Sequence, residues 1–105
     1  MTDGSNPGTE QTDGMAAHDS AEHYELFHSE TCGFCHRVRH YFAQAGWEIP
    51  LRDVNRDRDA RAELMAGGGR TMVPCLKITR GEQVTWMYES LDIIDYLEQQ
   101  RAAAG

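Results

Sequence analysis

Cysteine is scarce in this chain: Cys32, Cys35 and Cys75 are the only three among 105 residues. So small and odd a number, with no secretion signal beside it, argues against a disulfide framework. Lysine is almost missing, Lys77 standing alone among the 10 basic residues. No basic stripe gathers anywhere, so a nucleic-acid role finds no support. No apolar run approaches the roughly 20 residues that span a bilayer. The opening MTDGSNPGTEQTDGMAAHDS lacks both the basic and the apolar regions of a signal peptide. These absences place the protein in the cytoplasm, without a membrane partner.

What is present suits one modest hydrophobic core: 40% hydrophobic and 26% charged residues over a length typical of a single domain. The net charge of −7 is uneven, because residues 1–20 hold Asp3, Glu10, Asp13 and Asp19 and no Lys or Arg. That segment has almost no apolar side chains to offset its ordering entropy. Residues 1–21 therefore read as a disordered acidic tail, and 22–105 as the folded domain.

Within that domain, HYELFH alternates and is rich in aromatics, predicting a strand over Tyr24 to His28. Phe34, Val38, Tyr41, Phe42 and Ala45 then follow helical spacing from Gly33, with Gly46 as the C-cap. WEIPLRDV predicts a second strand, and Pro50 within it puts that strand at a sheet edge. NRDRDARAELMAGGG predicts a short helix capped by Asp57 or Asn55 and broken by Gly67–Gly69. MVPCLKIT and QVTWMY form a hairpin around Arg80-Gly81-Glu82. Ser90 caps a last helix, LDIIDYLEQQR, with Leu91, Ile93, Ile94 and Leu97 as its buried face and Asp92 and Arg101 suited to its dipole. The order is β-α-β-α-β-β-α, the first two strands parallel and the last two antiparallel.

The chemistry centres on TCGFCHRVRHYF, residues 31–42. Cys32 and Cys35 fit a dithiol redox centre, part of a metal site, or, with His36, a haem attachment. A structural zinc needs four ligands and only these three stand nearby. Haem attachment needs an export route. Redox rests on position: Cys32 follows a strand and opens a helix, where unpaired N–H groups and the dipole stabilise a thiolate. Cys35, one turn further in and more buried, can attack a mixed disulfide formed at Cys32. Cys75, inside a strand, reads as a core residue.

Three separated segments then resemble the glutaredoxins of the thioredoxin superfamily. TCGFCHRVRHYF is similar to their Cys-Pro-Tyr-Cys segment and its helix. GRTMVPCLKI is similar to the segment carrying their cis-proline. YESLDIIDYLE is similar to the Glu-Ser helix start of glutathione-transferase N-terminal domains. The resemblance implies a thioredoxin-like α/β fold, βαβαββα, with a four-stranded mixed sheet flanked by helices. It also implies a glutathione-dependent thiol–disulfide oxidoreductase with Cys32 and Cys35 catalytic and no metal among the site residues. Val73, Pro74, Glu89, Ser90 and Arg70 would hold glutathione, a co-substrate and not a tightly bound cofactor: Val73 by its backbone, Glu89 at the ligand's ammonium, Ser90 at its γ-glutamyl carboxylate, Arg70 at its glycyl carboxylate. The implied partners are protein disulfides or glutathionylated proteins, met by a monomer. Gly33-Phe34 replaces the common Pro-Tyr pair, and Ser29 stands where a lysine is usual. Two alternatives accompany this reading: a [2Fe–2S] carrier ligated by Cys32 and glutathione, and a thioredoxin-like reductase that does not use glutathione.

Overall fold

The computed structural model describes residues 22–104, so the reading of residues 1–21 as a disordered tail lies outside the described residues. Four strands form one mixed sheet: β1 (His23–His28), β2 (Leu51–Asp53), β3 (Cys75–Arg80) and β4 (Gln83–Tyr88). Their spatial order is β2-β1-β3-β4. Strands β1 and β2 run parallel, with Leu26 opposite Leu51 and His28 opposite Asp53. The β1–β3 and β3–β4 pairs are antiparallel, and the latter closes on a two-residue turn after Arg80 pairs with Gln83. Helices α1 (Gly33–Ala45), α2 (Arg58–Gly68) and α3 (Ser90–Ala104) complete the thioredoxin-like fold. Among the described residues no helix is long and apolar enough to cross a membrane.

Local chemistry sets the element ends. Helix α1 starts at Cys32, whose extended backbone (φ −95°) makes it the N-cap, and stops at Gly46, whose φ of 82° favours glycine. Asp57 caps α2 by accepting from the N–H groups of Asp59 (3.0 Å) and Ala60 (3.2 Å). Asn55 is not the cap; its amide donates to Ser29 Oγ at 2.6 Å. Strand β2 is shorter than the sequence suggests and Pro50 lies just outside it, yet the Pro50 carbonyl still accepts from Leu26 N–H at 2.9 Å. Its predicted place at the sheet edge holds.

The last helix differs by one residue from expectation. Ser90 belongs to α3, and Glu89 sits before it with φ 77°, a left-handed conformation uncommon outside glycine. The first intrahelical bond runs from Ile93 N–H to Glu89 O at 3.0 Å. Ile93 and Leu97 are buried as expected, but Leu91 is not: 64% of its surface remains exposed.

Side-chain alternation divides the core between the sheet's two faces. Leu26, Leu76 and Ile78 point to the face covered by α1 and α3, meeting Val38, Phe42, Ile93 and Leu97. Phe27 and Cys75 point to the other, meeting Val54 and the α2 residues Ala60 and Leu64. Both N-termini of the first pair of helices emerge at the same end of the sheet, beside the segment that enters β3.

Candidate active site

Cys32 is the N-cap of α1, and its sulfur accepts the Cys35 N–H at 3.2 Å. Its backbone N–H donates to Ser29 O at 3.2 Å, and its carbonyl receives the His36 N–H at 3.1 Å. The loop before it is braced from α1: Arg39 donates to the Glu30 carboxylate at 3.0 Å, and His36 Nε2 donates to the Glu30 carbonyl at 2.6 Å. His36 is thus an exposed helix residue, as read from the sequence, with a bracing contact that its spacing did not announce. Ser29 is buried and bonded to Asn55 and Thr31, so no cation approaches the thiol from that position.

The other two thiols differ in environment. Cys35 is fully buried; that burial, reinforced by neighbouring Cys32, pushes its pKa up to about 12. Cys75 packs among Phe27, Val54 and Leu64, and burial pushes its pKa up to about 11.

Beside Cys32 lies a groove of about 360 Å³. Val73, Pro74, Glu89 and Ser90, four of the five residues expected to hold glutathione, line it together. The Val73–Pro74 peptide is cis, and the Val73 carbonyl lies 3.8 Å from Cys32 Sγ, which links the thiol to the groove wall. At the other end, the N–H groups of Ser90, Leu91 and Asp92 precede the first intrahelical bond of α3 and point outward from its N-terminus. That geometry favours an anion, with the helix dipole adding to it.

Arg70, the fifth expected residue, is not part of the lining. Its guanidinium stacks over the Tyr88 ring at 4.3 Å, and its carbonyl accepts from Tyr88 Oη at 2.9 Å. The guanidinium that does face the groove is that of Arg37, carried one turn into α1 and lying 5.5 Å from the Phe34 ring. Phe34, Met72 and Leu91 form an apolar rim, each more than half exposed. Phe34 and Leu91 read as core from the sequence because each falls at helical spacing. The available signal was position: Phe34 and Leu91 each follow closely on a motif residue at a helix start.

Comparison with known proteins agrees with this fold. Residues 31–100, 70 of the 105, match the family described as the glutathione S-transferase N-terminal domain. The fold is similar to that of maleylacetoacetate isomerase from Anaeromyxobacter dehalogenans 2CP-1, solved with glutathione bound in its active site (TM-score 0.58, 22% identity, 77% of this chain and 38% of that one). It is also similar to wheat glutaredoxin (TM-score 0.58, 19% identity, 82% and 80% of the two chains). Glutaredoxin C1 from Populus tremula x tremuloides, in its holo form, gives a TM-score of 0.56 at 18% identity over 82% and 84%. The chain therefore spans less than half the length of the isomerase and most of each glutaredoxin. No curated protein matches the sequence.

Proposed function

The chain belongs to the family of glutathione S-transferase N-terminal domains, and from that premise we propose that it is a glutathione-dependent thiol–disulfide oxidoreductase with Cys32 as nucleophile. One observation carries the reading: Cys32 Sγ accepts a helix N-terminal N–H at 3.2 Å while lying against the Val73 carbonyl of the groove. A thiolate there keeps its hydrogen bond and the favourable end of the α1 dipole.

In the proposed cycle, Cys32 thiolate attacks the glutathione sulfur of a mixed disulfide. The S–S bond to the substrate protein breaks, and that cysteine leaves as a thiolate and takes a proton. The glutathionyl group, now on Cys32, occupies the groove. Its cysteinyl backbone pairs with Val73 as an added strand, its γ-glutamyl carboxylate meets Ser90 at the α3 N-terminus, and its ammonium meets Glu89. Arg37 replaces Arg70 as the partner of the glycyl carboxylate, since it faces the groove. A second glutathione thiolate then attacks the sulfur of the bound glutathionyl group, releasing oxidised glutathione and restoring Cys32 thiolate.

Cys35 is a slow competitor for that last step. Burial, reinforced by Cys32, pushes its thiol pKa well above the ordinary range, so little of it is thiolate at neutral pH. Glutathionylation of Cys32 removes one cause of that shift but leaves the larger one, burial. The test is turnover of a small glutathione mixed disulfide. Cys32→Ser should abolish it, while Cys35→Ser should retain most of it; full activity in Cys32→Ser would end the assignment. Glu89→Gln should raise the glutathione KM about tenfold, the loss of roughly one charge-assisted hydrogen bond. An unchanged KM would favour a reductase that does not use glutathione.

A further inference from the structure

On the β1–β2 side of the Cys32 loop, away from the groove, three potential ligands converge that the thiol chemistry does not use. His28 and Asp53 are direct partners across the parallel β1–β2 pair, at the C-terminal ends of both strands. Glu30 follows two residues later in the loop that leads to Cys32. One ligand atom from each of the three lies within 4.8 Å of the others. His28 is only 2% exposed, and its Nδ1 is wholly buried without a hydrogen-bond partner. A buried polar atom left so is destabilising, and among the described residues it is the one side-chain N or O atom in that condition.

We propose that His28, Glu30 and Asp53 form a binding site for a divalent transition-metal ion of the zinc class. The donor set favours this class: an imidazole suits zinc and its first-row neighbours, whereas calcium and magnesium take oxygen-only sets and copper(I) takes sulfur. Three protein ligands leave the fourth tetrahedral position to water. Asp53 Oδ1 already accepts the N–H groups of Asn55 (2.9 Å) and Arg56 (3.3 Å), which fixes the carboxylate, while Oδ2 lies 4.0 Å from the exposed Arg56 guanidinium, a solvated pair that the ion would replace. Arg39 pairs with Glu30 at 3.0 Å, so binding requires the ion to displace that partly exposed guanidinium. Once bound, the ion ties β2 to the loop two residues ahead of Cys32. The proposal stands apart from the glutathione reading, since no groove residue takes part.

The test uses the full chain carrying Cys32→Ser and Cys35→Ser, which removes the competing thiolate pair, titrated with cobalt(II) after chelator treatment. One equivalent should bind and give a ligand-field band, without a sulfur-to-cobalt charge-transfer band. Asp53→Asn and Glu30→Gln, both conservative and partly exposed, should each weaken binding by about tenfold or more; His28→Asn should abolish it, with folding checked by circular dichroism. Absence of cobalt binding, or an affinity unmoved by Asp53→Asn, would overturn the site.

Discussion

The two faces of the sheet are built on different physics. Under α1 and α3 the buried contacts are apolar, from Leu26, Leu76 and Ile78 to Val38, Phe42, Ile93 and Leu97, and tyrosine–carboxylate hydrogen bonds close the margin, Tyr41 to Glu98 at 2.7 Å and Tyr96 to Glu22 at 2.6 Å. Tyr24 and Trp47 meet edge-on there with ring centroids 5.7 Å apart. Under α2 the apolar part is smaller, and charges close its margin. Arg52 bonds Glu25 at 2.8 Å and Glu63 at 3.2 Å, and Lys77 bonds Glu63 at 2.5 Å. The same cations lie over aromatic rings, Arg52 over Phe27 at 5.2 Å and Lys77 over Trp86 at 5.5 Å. Such half-exposed ion pairs contribute little each, whereas burial of a whole leucine contributes about 1.5–3 kcal/mol. The better-packed face is also the one whose helix N-termini present Cys32 and Ser90. Rigidity and chemistry therefore share one layer, and α2 closes the other.

Cutting a leucine on each face is the strongest way to break this contrast. Leu97 on α3 and Leu64 on α2 are both fully buried. Leu97→Ala should cost more, about 3–5 kcal/mol, because its neighbours are held between two helices and cannot collapse into the void. Leu64→Ala should fall nearer 2 kcal/mol, since the half-exposed Trp86 and Tyr88 beside it can shift inward. Urea titrations with equal m-values would measure both. An equal or larger loss at Leu64 would refute the claim that the faces differ in stiffness.

A second effect reverses a usual sign. Glycine in a helix interior costs about 0.5–1 kcal/mol against alanine, so Gly→Ala in α2 should ordinarily stabilise. At Gly67 an added Cβ would collide with the body of the Trp86 ring. Gly67→Ala should instead destabilise by about 1–3 kcal/mol, the range for overpacking, and should perturb Trp86 fluorescence. A gain in stability would mean that the α2 face is loose enough to absorb a methyl group.

These contrasts also explain what could be read from residue order. The strand over Tyr24 to His28, the Cys32 and Gly46 ends of α1, and the hairpin turn after Arg80 follow from local rules, and the structure agrees with them, although β1 is buried on both faces at Leu26 and Phe27. Four groove residues were legible because each lies in a motif with a physical reason for its residue type. The misses needed the third dimension. Leu91 fits the apolar period of α3, but its place in the first turn points it at the groove instead of the core. Arg37 and Arg70 are both plausible cations in sequence; only folding carries one to the groove and stacks the other on Tyr88. Glu89 at φ 77° was invisible, since nothing in its side chain announces a left-handed backbone. His28 read as one more strand residue until the parallel register set Asp53 beside it.

The smallest effect separates the faces by their response to pH. The Lys77 ammonium bonded to Glu63 holds that carboxyl below its ordinary range, outweighing the opposing effect of partial burial. A depressed folded-state value stabilises the fold above the unfolded carboxylate range, near 4.3, and the contribution is lost as pH falls through the folded value. Glu63→Gln should therefore cost under about 1 kcal/mol at neutral pH, in keeping with partly exposed pairs. The deficit relative to the parent should shrink toward zero in acid, and in high salt at neutral pH. The Leu97→Ala deficit should be insensitive to both variables, because it removes no charge. Parallel urea titrations at neutral and acidic pH would measure the difference; a Glu63→Gln deficit that persists unchanged in acid would show that this side chain acts by packing, and the two faces would then be more alike than their charges suggest.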